Sequence, residues 1–340
     1  MGIKGSRLYL LAASVSICIT YGGVTAAAEM PSLPEVTTGD APIWVEDPRL
    51  QFPRTDYLSR RGKGASASEA AQVAYNKILK LYQIGEGQPL PDEIAKALAI
   101  ASIWKEGNGE HYRAIVTLKQ KVAENYLRKK ITALDEATAE ATKIANTSPE
   151  AITKLGMTGK ALEYQRARAT YQAAMKRVDV TGRGVPPKWE IKKLSEALEN
   201  YITSLTIHPS GDASDVTLEQ MSNMITRGLK VAGIQATPRE RADYILKGHL
   251  TISHAPDESG WMGGQGSLSL RLFQAGSDEA IGSHQWHINV IHLYPETAER
   301  RVVEKAEYLL KKEMRDVLID MATQRQENDQ RISSSNSVSS

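Results

Sequence analysis

Residues 97–118 read ALAIASIWKEGNGEHYRAIVTL, and this stretch decides the fold of the first part of the chain. Two strand-like runs, 97–105 and 111–118, flank a short segment that contains Asn108 and Gly109. An Asn-Gly pair favours positive φ and a tight turn, so the stretch predicts a β-hairpin.

A helix is predicted immediately upstream of this hairpin. Ser66 followed by Glu69 has the spacing of a capping box, and the residues after it repeat their apolar positions at helical spacing over about 67–83. With the hairpin and the next helix, the sequence predicts a compact β-α-β-β-α module over residues 42–133.

Two heptad-like stripes follow the hairpin. In the first stripe the residues that recur at alternating steps of four and three are Leu127, Ile131, Leu134, Thr138, Ala141 and Ala145. A second stripe with the same spacing runs from Met157 to Val178, and residues 147–149, Thr-Ser-Pro, interrupt the pattern between the two. The pattern predicts an antiparallel helical hairpin that continues from the first module over 134–180. Arg168 is a charged exception on the second stripe. Residues 181–187 contain two Gly and two Pro and predict a linker.

A second α+β module is predicted over residues 188–324. Its predicted helices and strands are a helix near 188–199, a strand near 201–208, a helix near 215–232, strands at 242–254, 266–275 and 280–291, and a closing helix at about 296–324. The predicted fold class is therefore α+β, with two small modules joined by the helical hairpin. Residues 325–340 are polar and Ser-rich, which predicts a disordered tail.

The residue pattern at the N-terminus predicts that the protein is exported. Lys4 and Arg7 precede a short apolar run, and small residues up to Ala28 end the segment, so residues 1–28 have the pattern of a cleavable signal peptide. A retained membrane anchor is the alternative, but the run is shorter than the roughly 20 residues that span a bilayer. Residues 29–41 then form a predicted flexible leader. Cys18 follows the bulky Ile17, which argues against a lipidation site.

Charge and cysteine content exclude several classes of protein. The sequence has 42 Lys and Arg against 40 Asp and Glu, and the loss of residues 1–28 leaves 40 of each and no thiol. A nucleic-acid-binding protein is expected to carry a clustered cationic excess, so this balanced charge argues against nucleic-acid binding. Disulfides and cysteine metal sites are excluded in the processed chain. No Gly-x-Ser-x-Gly motif is present either, so we expect no enzyme and no cofactor.

The first module resembles the LPP-twenty family of bacterial lipoproteins. The resemblance is carried by Pro42, Trp44 and Pro48, by the segment 62–66, and by the Ala-rich helix and hairpin that follow. The second module resembles periplasmic domains of penicillin-binding-protein activator lipoproteins and of curli-secretion proteins, on residues 205–207 and 242–248. These resemblances imply an envelope accessory protein without assigned chemistry, usually attached to a membrane.

Two groups of residues are similar to ligand-binding motifs but lack the required spacing. Residues 62–66, Gly-Lys-Gly-Ala-Ser, look like a phosphate-binding loop before a helix, but the first glycine and the hydroxyl of a Walker A motif are missing. Five histidines fall on or directly after the predicted strands of the second module, without the spacing of a zinc site: His249, His254, His284, His287 and His292. We expect half-exposed sheet positions there rather than a metal site.

Two tryptophans remain as candidate binding residues. Trp261 lies in a glycine-rich loop between predicted strands, where it could be presented to a partner or glycan or could cap the sheet. Trp44 admits the same alternatives, and fastening the N-terminal segment to the sheet is preferred. The sequence thus predicts a non-catalytic periplasmic or secreted protein that contacts envelope proteins, with glycan or peptidoglycan binding as the alternative. It leaves association with the outer membrane and the oligomeric state open.

Overall fold

The computed structural model describes residues 30–81, 92–107, 111–212, 215–256, 262–292 and 294–337. The predicted signal peptide, the Asn108-Gly109 turn and Trp261 lie outside these residues. The chain divides into two compact units, one ending at Val122 and the other beginning at Ala123. Each unit has its own sheet with helices packed on it, which confirms the predicted α+β class.

The first unit is a four-stranded sheet with one long helix on it. Its order is β1-β3-β4-β2, and α3 packs against β2, β3 and β4. The bounds are β1 Val36–Thr37, α1 Ile43–Glu46, α2 Pro48–Gln51, β2 Tyr57–Gly64, α3 Ala67–Leu79, α4 Asp92–Ala95, β3 Leu98–Glu106 and β4 His111–Lys119.

The N-terminal segment corrects the prediction of a flexible leader. Strand β1 pairs in parallel with β3, and the Thr37 hydroxyl donates to the carbonyl of Ile103 at 3.0 Å. The indole of Trp104 donates to the carbonyl of Gly39 at 3.2 Å. Residues 36–39 are therefore anchored by hydrogen bonds to a strand more than 60 residues away, which no local pattern indicates.

The helix start at Ser66 is confirmed. The Ser66 hydroxyl accepts from the Glu69 amide at 3.1 Å, and the Glu69 carboxylate accepts from the Ala65 amide at 2.7 Å. Both bonds satisfy amides at the helix entrance that would otherwise lack an acceptor. Helix α3 ends at Leu79, a few residues before the predicted end.

The second unit is a five-stranded sheet covered on one face by helices. Its order is β6-β5-β7-β8-β9, with β5 parallel to both neighbours and β7, β8 and β9 antiparallel. The helices that enter or build it are α5 Gln120–Thr147, α6 Ala151–Val178, α7 Ile191–Ser204, α8 Leu218–Val231 and α9 Pro295–Ser337. The strands are β5 Thr206–Gly211, β6 Gln235–Ala236, β7 Tyr244–Pro256, β8 Met262–Gln274 and β9 Ala280–His292, with a short 3-10 turn at Arg239–Arg241.

The predicted helical hairpin is formed by α5 and α6. Arg168 Nε lies 2.8 Å from Asp135 Oδ1, and Gln165 Nε2 lies 2.9 Å from Thr138 Oγ1. The register runs backwards along α6 as it runs forwards along α5, so the helices are antiparallel. The stripe positions predicted on α5 are all buried: Leu127, Ile131, Leu134, Thr138, Ala141 and Ala145.

Three boundaries differ from the predictions. The division between units falls at 122/123 rather than at 133/134, because α6 packs on α7 and α9 of the second unit. Helix α7 continues to Ser204, since Leu194, Leu198 and Ile202 form one buried helical stripe, and the strand predicted from 201 begins at Thr206. Helix α9 extends to Ser337, so most of the predicted disordered tail is helical. None of the helices in the described residues is long and apolar enough to cross a membrane.

Candidate functional site

The second sheet has one covered face and one open face. Side chains alternate along a strand, so the even-numbered residues of β7, β8 and β9 point to the same side. Those residues form the core beneath α8 and α9: Leu246, Leu250, Leu268, Leu270, Leu272, Trp286 and Ile288. The odd-numbered residues of β7 and β8, and those of β9 from Ser283 onwards, point away from these helices and form what we call the open face. Ile281 lies at a β-bulge and belongs to the core.

The open face is polar and uncharged over most of its length. Across the three strands, Thr251 pairs with Ser267 and Ser267 with His287, and the neighbouring rows have the same character. The members of the open face are His249, Thr251, Ser253, Gln265, Ser267, Ser269, Gln285, His287 and Asn289, all partly or fully exposed. This face presents hydrogen-bond donors and acceptors without a carboxylate.

Charge is confined to one end of the open face. Lys247 Nζ lies 4.7 Å from the centre of the Phe273 ring, and Arg271 pairs with Asp212 at 2.9 Å. The ring of Phe273 is itself buried beneath these cations. An aromatic ring under an ammonium group is a stabilising cation–π arrangement. The cations at this end are therefore already paired within the chain, and we do not regard this end as a binding surface.

The edge of the sheet at β9 is unprotected. Strand β9 is the last strand in the sheet order, has 13 residues, and contains no Lys, Arg, Asp, Glu or Pro. The other sheet edges in the described residues are protected: β1 and β6 have two residues each, and β2 carries Arg60, Arg61 and Lys63. Short strands and charges are the usual protections of an edge against pairing with another chain.

The direction of the free groups on β9 follows from one hydrogen bond. The Ser283 amide donates to Oε1 of Gln324 on α9 at 3.0 Å, so odd-numbered amides of β9 point away from β8. In an antiparallel strand the N–H and C=O of one residue point to the same side. Gln285, His287 and Asn289 therefore present both groups at the edge, and within the described residues no backbone partner meets them. We call residues 285–291 of β9 the free edge.

The covered side of β9 is rigidly held. The Trp286 indole donates to the Glu313 carboxylate at 2.9 Å, and the His284 ring packs edge-on against Trp286 with centroids 4.4 Å apart. Gly282 lets the backbone of α9 approach, because a Cβ there would lie 2.6 Å from the Met321 carbonyl oxygen. Strand β9 is thus held against α9 on its covered side, and its outer edge stays accessible.

Two carboxylates of α6 and α9 have raised pKa values. Withdrawal from water raises the pKa of Asp320, and the nearby His284 opposes this rise. The same desolvation, followed by the charge of Asp320, raises the pKa of Glu163. These groups repel each other between α6 and α9 and do not belong to the open face.

The structure places Trp44 inside the first unit. Its side chain is 1% exposed and packs with Val45, Trp104 and Ile115. A ring so completely buried offers no surface to a ligand, so Trp44 is corrected from a candidate binding residue to the core residue that fastens the N-terminal segment. Trp261, the other candidate, lies outside the described residues and stays a prediction.

The histidines do not converge. His284 points to the covered face, whereas His249 and His287 point to the open face from strands separated by β8. Among the residues that the structure describes, no group of three His, Cys, Asp or Glu could hold a metal ion. The side chain of His254 lies outside those residues.

A shallow cavity lies between α6 and the start of α7. It has a volume of about 570 Å³ and is bordered by Arg168, Lys176 and Trp189. The Arg168 guanidinium is already used, since it binds Asp135 and the carbonyls of Val185 and Pro186. The guanidinium therefore fastens the linker to the helical hairpin. In the sequence Arg168 stands out only as a charged exception on its stripe, and the free edge has no sequence signal because sheet order is not a local property.

Comparison with known proteins gives only distant likenesses. No protein-family model and no curated protein matches the sequence. A secreted protein of Helicobacter pylori has 12% identity and a TM-score of 0.37, over 75% of this chain and 96% of that one. A minor lipoprotein of Acinetobacter baumannii has 14% identity and a TM-score of 0.22, over 35% and 84%. A protein of Xanthomonas campestris has 15% identity and a TM-score of 0.24, over 37% and 87%. At these TM-scores the likenesses carry no functional argument.

Proposed function

We propose that this chain is a non-catalytic, exported accessory protein of the cell envelope that binds other proteins by adding a strand to the free edge of β9. The observation that carries the proposal is the unprotected edge. A row of unpaired N–H and C=O groups is a template for an extended segment of another chain, and main-chain hydrogen bonds then provide affinity.

Specificity in this mode comes from the side chains beside the edge. A partner strand next to β9 extends the open face, where Gln285 and His287 are exposed. Neutral polar side chains can hydrogen-bond a partner strand without the desolvation penalty of a buried charge. The support from α9 keeps the edge in strand conformation before the partner arrives, which lowers the entropy lost on binding.

Export is the second part of the proposal. It rests on the signal-peptide pattern of residues 1–28 and on the thiol-free chain that remains after cleavage. The observation that checks it is the mass of the processed chain and the fraction that holds it. We expect Glu29 as first residue and recovery from the periplasm; an intact N-terminus in the cytoplasm would contradict export.

The binding mode is tested by cross-linking in whole envelopes, followed by recovery of the protein. His287→Lys places a charge on the free edge, and Thr251→Lys places the same charge in the same row of the sheet, on the interior strand β7. We expect loss of the partner with His287→Lys and its retention with Thr251→Lys. Equal recovery with both variants, or no reproducible partner, would overturn the proposal.

A second candidate function is glycan or peptidoglycan binding, which the neutral hydrogen-bonding open face favours. Sugars are bound by such groups together with an aromatic platform, and Trp261 immediately precedes β8. Sedimentation with purified cell-wall sacculi tests it with Trp261→Ala and with Gln265→Ala on the open face. Unchanged sedimentation of both variants, or none by the parent protein, would rule this function out.

A further inference from the structure

We propose that the strand added to the free edge of β9 is the β9 strand of a second copy of this chain, related by a two-fold axis. This inference rests on the proposed function, because it names the partner of the same edge. Strand addition between identical edges gives antiparallel pairing, in which each copy satisfies the edge groups of the other.

The absence of charged residues from β9 permits self-pairing. Two identical strands set side by side bring like residues together, and like charges opposite each other are destabilising. β9 carries no Lys, Arg, Asp or Glu over its 13 residues. A second copy therefore meets no repulsion, whereas a strongly charged partner strand finds no complementary charge on β9.

The side chains beside the edge allow two copies to pair about Trp286. With the two-fold axis at this residue, the numbers of paired positions sum to 572, and the open-face pairs are Gln285 with His287 and Ser283 with Asn289, all exposed and neutral. The Ser283 amide is already bonded to Gln324, so Gln285, His287 and Asn289 supply the edge amides of the pairing. Ile281 belongs to the core on the covered side and makes no contact on the open face.

Association is measured by sedimentation of the purified exported chain over about a hundredfold range of concentration, because dimer formation follows mass action. We expect the average molecular mass to rise from that of one chain at the lowest concentration to that of two chains at the highest. His287→Lys is expected to weaken the dimer about tenfold or more, since it sets like charges beside the two-fold axis. Thr251→Lys is the matched control and is expected to leave the dimer unchanged.

The register is measured with a single cysteine, because Cys18 is the only native cysteine. In the proposed pairing the two copies of residue 285 are diagonal neighbours, about 7–8 Å apart between Cα atoms. Gln285→Cys is therefore expected to form a covalent dimer with a short bismaleimide, and Thr251→Cys is not.

Each other outcome contradicts the inference in a defined way. A monomer at every concentration, with no covalent dimer from Gln285→Cys, overturns self-pairing. A dimer that both lysine variants leave intact places the contact elsewhere and overturns it too. If the chain is monomeric but captures a different protein that only His287→Lys abolishes, self-pairing fails while the proposed function stands.

Discussion

Arg168 Nε lies 2.8 Å from Asp135 Oδ1 across the helical hairpin, and the two side chains are only 3% and 4% exposed. The same guanidinium donates to the carbonyl of Pro186 at 2.9 Å. A charge withdrawn from water is strongly unfavourable unless its partners remain. One ion pair therefore joins α5, α6 and the linker that leads to α7.

Substitution of one partner of this pair is expected to lower the free energy of unfolding far more than substitution of both. Arg168→Met leaves the Asp135 carboxylate buried without its cation, and we expect a loss of about 3–5 kcal/mol in the free energy of unfolding. Asp135→Leu combined with Arg168→Met is expected to recover most of this loss. Urea unfolding measures both, with the exposed Arg166→Met as control. Equal losses in the single and double variants would contradict the assignment.

Gly62 is expected to tolerate no side chain. A Cβ at this position would lie 2.6 Å from the Ala74 amide nitrogen and also meet the Ala70 carbonyl, because β2 runs directly against α3. We expect Gly62→Ala to destabilise the first unit by about 1–3 kcal/mol or more through overpacking. Lys63→Ala, at the exposed position between Gly62 and Gly64, is expected to be nearly neutral. Thermal unfolding compares them, and a neutral Gly62→Ala would refute the close packing.

The carboxylates of Glu163 and Asp320 are expected to reduce stability at neutral pH. Desolvation and mutual repulsion raise the pKa of Glu163, so folding favours its protonated form. The stabilising contribution is present below the unfolded pKa and is lost as pH rises through the folded pKa. Glu163→Gln is expected to increase the free energy of unfolding at pH 7 by about 0.5 kcal/mol, reduced by solvent screening, and to have no effect near pH 3.

The check is urea unfolding at both pH values. Glu136→Gln on α5 is a suitable control, because it is an exposed carboxylate outside this pair. A stabilisation that is the same at pH 3 and pH 7 would show that charge is not its cause.

Local patterns predicted those parts of the fold that local forces determine. The capping box at Ser66, the strands on either side of residues 107–110 and the helical stripes are all properties of residues within a few turns of each other. The stripe even included Arg168, whose burial the pattern indicated and whose partner, Asp135, it did not. That partner is 33 residues away in sequence.

The parts that were missed depend on distant contacts. Strand β1 has only two residues and exists because β3 accepts it, so no periodicity announces it. The free edge needs the order of all five strands, since β9 has the same alternation whether it lies inside the sheet or at its edge. The lack of charge on β9 was visible in the sequence, but its meaning depends on that position.

The most direct test of the account is amide hydrogen exchange of β9, read residue by residue before and after a partner is bound. Because the amides of Gln285, His287 and Asn289 point away from β8, we expect them to exchange readily in the isolated chain and to become protected in the complex. Protection of other surfaces, with these three amides still exchanging in the complex, would contradict strand addition at the free edge.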